Sequence, residues 1–261
     1  EQGDLLLALF GAHGESPRIV LAPPDVEYCF YLTAQAFSLA QRYQMPVFVL
    51  SDQSLATRRQ TFPKPSLDLG AIDIEQPPTT PRYRRYEITE TGISSRILPG
   101  RENGFYVSTG LEHNQRGFPD YSPENHRVMM SKRARKVETA ARDLREVHHF
   151  GSPQAEVGII GWGSTEGASR EAVSAANASG MKVAGAYPLA LNPLTTAELE
   201  KFARSVRTVI VPEMNFGGQL AHLLRANGLR VEPLSLSGEA RPGDILPAIQ
   251  EALQHERKVL A

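Results

Sequence analysis

Cysteine is nearly absent, with Cys29 the only one in 261 residues. One thiol excludes an internal disulfide framework, and it excludes a self-contained cysteine-ligated iron–sulfur cluster, which needs about four thiolates. Any such cluster belongs on another chain. Charge excess is absent too: 28 Lys and Arg stand against 29 Asp and Glu, a net charge of −1, so a dedicated nucleic-acid binder is not expected. No apolar run approaches the roughly 20 residues that cross a bilayer, and no basic-then-apolar signal segment opens the chain. The expectation is a soluble protein of a reducing compartment, the cytoplasm. No G-x-x-x-x-G-K-[ST] loop occurs, so nucleotide hydrolysis has no support. An initiator methionine is missing as well, and Glu1-Gln2-Gly3-Asp4 runs directly into Leu5–Phe10, as in a chain cut within a domain.

The length favours two domains, each able to bury a core. Residues 4–10 are apolar on nearly all faces and stop at Gly11, the pattern of a short buried helix. Ile19–Ala22 and Val47–Leu50 are unalternating apolar runs, which predicts strands buried on both faces. Between them Asp25 is the expected cap of an amphipathic helix, whose stripe is Val26, Phe30, Thr33, Phe37 and Ala40. Strand, helix, strand implies a parallel crossover. Residues 58–125 carry Pro63, Pro65, Pro77, Pro78, Pro81, Pro99, Pro119 and Pro123, which leaves an extended arm.

Ser122-Pro123-Glu124 is a helix start, and that helix is expected to reach about Val147 with Met130, Ala134, Val137, Ala141 and Leu144 as its stripe. Its basic residues, among them Lys132, Arg135 and Lys136, read as a solvated face or an acidic partner's surface. Beyond Gly151-Ser152-Pro153, strands at 157–160, 182–186, 208–211 and 229–231 alternate with helices near 165–179, 195–205, 217–227 and 244–257. This is the pattern of an open parallel sheet domain.

Gly161-Trp162-Gly163-Ser164-Thr165-Glu166-Gly167 joins a predicted strand to a helix, where backbone N–H groups can hold an anion. Its glycines are spaced G-x-G-x-x-x-G, and no acid ends the next strand, so dinucleotide binding is disfavoured. A tight turn with Ser164-Thr165 as the helix cap fits better. Glu213-Met214-Asn215-Phe216-Gly217-Gly218-Gln219 is a second rim loop, suited to a ligand crevice or to packing against another domain.

His13-Gly14-Glu15 sets an imidazole beside a carboxylate in a loop before a buried strand, a pairing suited to acid–base work or to a self-stabilised turn. Glu112-His113-Asn114 and His126 lie in the irregular region, where binding residues concentrate, but without an obvious third metal ligand. No metal site is expected. His148-His149 reads as a helix end, where imidazoles interact with the helix dipole.

Three stretches in order, Gln2–Pro23, Gly110–Lys136 and Gly161–Thr165, with Leu50-Ser51-Asp52 between the first two, resemble the alpha subunit of the 2-oxoacid:ferredoxin oxidoreductases, particularly the 2-oxoglutarate type. Asn114 departs from the acid expected there. The resemblance implies an α/β fold in three parts. Residues 1–57 would be the second half of a pyrimidine-side thiamine-binding domain, 58–150 a Pro-rich connector with a long helix, and 151–261 a transketolase-C-terminal-like open parallel sheet domain.

It implies thiamine-dependent oxidative decarboxylation of a 2-oxoacid to acyl-CoA with ferredoxin reduction; a non-catalytic assembly or regulatory module on the same fold is the alternative. Thiamine diphosphate and Mg²⁺ would be shared with or held by the beta subunit, the iron–sulfur cluster would sit on that subunit, and coenzyme A would be a substrate. The diphosphate-anchoring Gly-Asp-Gly…Asn signature is indeed missing, since Asp4 and Asp244 each follow a glycine without a second one after them. Implied partners are the beta subunit, an amino-terminal part of alpha and ferredoxin, with no nucleic acid and no membrane. The main substrate-contacting residues are expected upstream of Glu1. That leaves His13, Gly14, Glu15, Glu112, His113 and Asn114 as the candidate active-site or interface residues.

Overall fold

The computed structural model describes residues 2–66 and 83–259; the expected arm residues Pro77, Pro78 and Pro81 lie outside them. The first unit runs α1 (Leu5–Phe10), β1 (Ile19–Leu21), α2 (Val26–Tyr43), β2 (Val47–Val49) and α3 (Gln53–Thr57). β1 and β2 pair in parallel, as the crossover pattern predicts. Asp25 caps α2 by accepting the Tyr28 backbone N–H at 2.8 Å.

Three expectations for this unit are corrected. The buried face of α2 is Leu32, Ala36, Leu39 and Tyr43, while Phe30, Thr33 and Phe37 of the expected stripe face outward. β2 is an edge strand with Phe48 exposed, and α1 buries only Leu5 and Ala8. Apolar character alone does not mark the buried side, because a face to be covered by a partner is just as apolar.

The described part of the arm, up to Tyr121, has no helix or strand beyond a bridge between His113 and Pro119. α4 (Pro123–Ala140) follows, capped by the Ser122 hydroxyl, which accepts the Asn125 N–H. It stops seven residues before the expected end, and Ala134 of the expected stripe is exposed. Its buried positions include Lys132, so the basic residues are not simply a solvated face. Lys132 Nζ donates to Gly92 O (2.8 Å), Arg135 to Thr89 O (2.9 Å) and Lys136 Nζ to Gln44 O (2.8 Å), which straps the arm and the end of α2 to this helix. Gly92 has φ +77°, and a Cβ there would lie 2.5 Å from Lys132 O, so backbone meets backbone at this strap. Hydrogen-bonded to backbone carbonyls and with no carboxylate beside them among the described residues, Lys132 and Lys136 are both pushed down to about 8, chiefly by burial.

The second unit is β3 (Val147–Gly151), β4 (Val157–Ile160), α5 (Thr165–Ala178), β5 (Val183–Pro188), β6 (Ala190–Asn192), α6 (Thr196–Ser205), β7 (Thr208–Glu213), α7 (Gln219–Ala226), β8 (Glu232–Ser235) and α8 (Pro242–Val259). Its sheet order is β3-β5-β4-β7-β8; β5, β4, β7 and β8 are mutually parallel, and β3 is an antiparallel edge. His148 and His149 therefore lie in a strand, not at a helix end, and β3 straddles the expected boundary at 150/151. The last parallel strand begins at Glu232, one residue after the run expected at 229–231.

Alternation along the strands divides the core. Val157, Ile159, Val183 and Ile210 pack with α5 and α8 on one face. Ile160, Ala186, Val209 and Val211 pack on the other with α7, and with Leu5, Ala8, Val20 and Leu50 of the first unit. β6 joins the first sheet antiparallel to β1, giving the order β2-β1-β6. The second unit is thus not self-contained: it lends a strand to the first sheet and shares a hydrophobic cluster with it.

Candidate functional site

An open α/β sheet offers its crevice where consecutive crossovers leave in opposite directions, outside the carboxyl ends of the strands. Here that point lies between β4 and β7, and the two glycine-bearing loops singled out in the sequence meet there. The crevice holds the chain's own Gln2, only 1% exposed. Gln2 Nε2 donates to Trp162 O (3.0 Å), the Met214 N–H donates to Gln2 Oε1 (3.3 Å), and Asn215 Nδ2 donates to Gln2 O (3.2 Å). Gly163, at φ +60°, would put a Cβ 3.0 Å from Gln2 Nε2, which explains a glycine at this turn.

A carboxylate of the same chain stands at each helix start of the crevice, but only Glu213 accepts backbone N–H groups there. Ser164 is the N-cap of α5, but its hydroxyl makes no cap bond; it donates to Asp52 Oδ2 at 2.6 Å, which corrects the expected Ser164-Thr165 cap. Asp52 stands beside the helix N-terminus, where the dipole favours an anion. Its other oxygen caps α3 by accepting the Leu55 N–H (3.1 Å). Glu213, buried, accepts the N–H groups of Leu220 (2.8 Å) and Ala221 (3.0 Å), the Trp162 indole N–H (3.3 Å) and Asn215 Nδ2 (2.8 Å). Both loops pack against another part of the chain, and the second also lines a small cavity of about 120 Å³ together with His222 and Arg225 of α7. Phe216 stands almost wholly exposed (98%) on the second loop.

His13, Gly14 and Glu15 are all exposed, and Gly14 turns the chain at φ +77°. The imidazole and carboxylate make no hydrogen bond to each other among the described residues, so the expected self-stabilised pair is not formed. The loop's ends, in contrast, are fixed. Buried Arg18 donates from Nε to Ser16 O (3.1 Å) and from NH1 to Ala8 O (3.1 Å), while the Gly11 N–H donates to Leu7 O.

Glu112, His113 and Asn114 do come together, in a turn against the start of α4. Glu112 accepts from Arg133 (2.7 Å) and from His126 Nδ1 (2.9 Å), and the His126 bond leads in holding its carboxyl below the usual range. His113 packs on the Tyr86 ring at 4.0 Å, and Asn125 Nδ2 donates to its carbonyl (3.1 Å). Asn114 closes the turn through Gly117 N–H to its carbonyl and Arg116 N–H to its Oδ1, a task that needs no charge.

One cluster escaped the sequence reading. His148 Nδ1 donates to Glu166 Oε1 (2.9 Å), its Nε2 lies 3.0 Å from the Tyr28 hydroxyl, and Arg170 Nε donates to Glu166 Oε1 (2.7 Å). This chain joins α2, β3 and α5. Tyr28 is pushed up to about 12, by burial first and then by Glu146. No local motif announces it, because its members lie 18 and 120 positions apart. Among the described residues no three His, Cys, Asp or Glu side chains converge as a metal site would require. Cys29 is half-buried with its thiol pushed up, chiefly by burial, which makes it a poor nucleophile.

Residues 1–132 match the family described as pyruvate flavodoxin/ferredoxin oxidoreductase, thiamine diP-bdg, and residues 155–235 match pyruvate:ferredoxin oxidoreductase core domain II. The 2-oxoacid:ferredoxin oxidoreductase subunit alpha of Saccharolobus solfataricus is 34% identical over 99% of this chain and 43% of its own length. The 2-oxoglutarate synthase subunit KorA of Methanothermobacter marburgensis is 31% identical over 95% of this chain and 67% of its own. Among solved structures, a 2-oxoglutarate:ferredoxin oxidoreductase from Magnetococcus marinus, with 2-oxoglutarate, coenzyme A and succinyl-CoA bound, superposes with a TM-score of 0.92 at 42% identity, over 97% of this chain and 45% of that one. The chain therefore spans less than half the length of two of these three. On the two family matches and these relatives, the chain belongs to the alpha-subunit family of the 2-oxoacid:ferredoxin oxidoreductases.

Proposed function

We propose that the chain is part of a subunit that takes a 2-oxoacid, with 2-oxoglutarate the first choice, and coenzyme A to the acyl-CoA and CO₂. Two electrons pass to ferredoxin and one proton is released. The observation that carries this reading is the likeness along nearly the whole chain to the Magnetococcus marinus enzyme, whose bound molecules are such a substrate pair and product.

The described residues do not by themselves fit a diphosphate and its Mg²⁺. No group of three candidate ligands converges, the first amides of α7 are already accepted by Glu213, and Asp52 sets a carboxylate beside the start of α5, where it repels a diphosphate. We therefore assign thiamine diphosphate and Mg²⁺ to a site shared with or held by a beta subunit, and the iron–sulfur cluster to that subunit alone. The remaining implied partners are an amino-terminal region of alpha and ferredoxin, in the cytoplasm. Residues 1–57 then act as half of the thiamine-side domain, 58–150 as the connector and 151–261 as the assembly domain. His13, Gly14 and Glu15 form the interface loop nearest the chemistry, and Glu112, His113 and Asn114 form a turn supporting the same interface.

The test is the assembled complex offered 2-oxoglutarate, pyruvate and a branched 2-oxoacid in turn, with coenzyme A and ferredoxin. The reading expects ferredoxin reduction and acyl-CoA formation, fastest with 2-oxoglutarate. No turnover with any 2-oxoacid from a complex that assembles fully would favour the assembly-module alternative, in keeping with a crevice filled by Gln2.

A further inference from the structure

The crevice contacts do more than close a gap, because the segment they hold leads straight into the exposed loop at His13. Gln219 grips it a second time: its Nε2 donates to Gly3 O (2.7 Å), and its Oε1 accepts the Leu6 N–H (2.9 Å). The Gln219 N–H is in turn donated to Asn215 Oδ1 (3.0 Å), and Asn215 Nδ2 bridges Gln2 O and Glu213 Oε2. The start of α1 is thus bonded to the start of α7. Leu6 N–H is one of the amides that a helix leaves without an internal acceptor, and Asp4, at the N-cap, makes no side-chain cap bond. The second unit supplies the missing acceptor.

At the far end of α1, Arg18 ties Ala8 O to Ser16 O, and Asn192 of β6 donates to Arg18 O at 2.6 Å. α1 is therefore tied at its start to α7 and at its end, through Arg18 just ahead of β1, to Asn192 of β6, with His13-Gly14-Glu15 in the loop it leads into.

We propose that Asn215 and Gln219 are positioning residues for the reaction: they clamp Gln2–Leu6 and, through α1, fix where the His13-Gly14-Glu15 loop stands. The inference rests on the proposed function for its kinetic part only. A domain assigned to assembly thereby sets the geometry of a loop on the other unit.

The test uses Gln219→Ala, Gln219→Glu and Asn215→Ala in the assembled complex, with two readouts. In hydrogen exchange, Gln219→Ala is expected to speed the Leu6 amide roughly tenfold, the order of one lost hydrogen bond, with the β4 and β7 amides unchanged. Gln219→Glu keeps an acceptor for Leu6 N–H and is expected to restore most of that protection. In kinetics, Gln219→Ala and Asn215→Ala are expected to lower kcat several-fold with little change in KM for coenzyme A. Unaltered exchange at Leu6 in Gln219→Ala overturns the clamp. Faster exchange with wild-type kcat and KM leaves a structural contact and overturns the positioning role. If the wild-type complex turns over no 2-oxoacid, the proposed function fails separately, and the exchange readout decides the clamp.

Discussion

Ser164 and Asp52, 112 residues apart, share a hydrogen bond of 2.6 Å in which the hydroxyl donates to a carboxylate that is already capping α3. Both groups are buried, and this bond is the one each makes across the two units. The contact sits beside Gln2 and links the first unit to the start of α5.

Asp52→Ala removes one partner from two donors, Ser164 Oγ and Leu55 N–H. A buried donor left without an acceptor costs about 1–3 kcal/mol, so the expected loss of unfolding free energy is about 2–4 kcal/mol. Ser164→Ala removes one end of one bond and is expected to cost about 1–2 kcal/mol. Chemical denaturation of the two variants and the double variant checks this. A double-variant cost well below the sum marks the coupling that the shared bond requires.

Lys132 and Lys136 set a pH dependence. Both ammonium groups are pushed from 10.5 down to about 8 in the folded chain, mainly by burial. Between pH 8 and 10.5 the unfolded state therefore binds more protons than the folded one, and stability rises with pH in that window. Below pH 8 both states are protonated and the penalty of the buried charges is at its full size. The measurement is denaturation at pH 7.5 and 9.5 with Lys132→Met as the reference, so that the shifts of Tyr28, Cys29 and Tyr43, common to both proteins, cancel. The wild type should gain stability relative to Lys132→Met over that interval. Equal changes in both would mean that Lys132 carries no penalty.

His13→Ala in the complete complex is expected to lower turnover or raise the Michaelis constant for the 2-oxoacid several-fold while leaving assembly intact, because the loop tip is exposed and bears no weight in the fold. Gly14→Ala is expected to be worse, since φ +77° strains any side chain there. Steady-state kinetics and size-exclusion profiles of the two variants check the pair. Wild-type constants in His13→Ala would remove the loop from the reaction.

The sequence made some of this architecture legible. β4, β5 and the Val209–Val211 stretch of β7 are apolar runs because they are covered on both faces, and that pattern is local. β3 was hidden by the polar pair His148-His149, which an edge strand tolerates, and β6 by its length of three residues, set by pairing with β1 and not by propensity. The outward Phe30 and Phe37 of α2 misled for a physical reason: hydrophobicity records that a surface is to be covered, without saying by what.

At the site, the glycine loops were legible as special backbone, but their occupant was not. Gln2 lies 160 and 212 positions from its crevice partners Trp162 and Met214, and nothing local to a glutamine announces such a contact. The same holds for Tyr28, His148 and Glu166. The loop at His13 stands out in the sequence because an imidazole and a carboxylate flank Gly14 just ahead of an apolar run, a signal that is entirely local.

The central claim, that this chain is a working part of a 2-oxoacid:ferredoxin oxidoreductase whose cofactor site needs another subunit, is tested most directly by one titration. Ferredoxin reduction is followed with 2-oxoglutarate, coenzyme A and thiamine diphosphate present, for the alpha polypeptide alone, the beta subunit alone and the two mixed in rising ratio. The account predicts no reduction by either alone and a rate that climbs to a plateau at equimolar subunits. Full activity from the beta subunit alone, or reduction by the alpha polypeptide without it, would contradict the account.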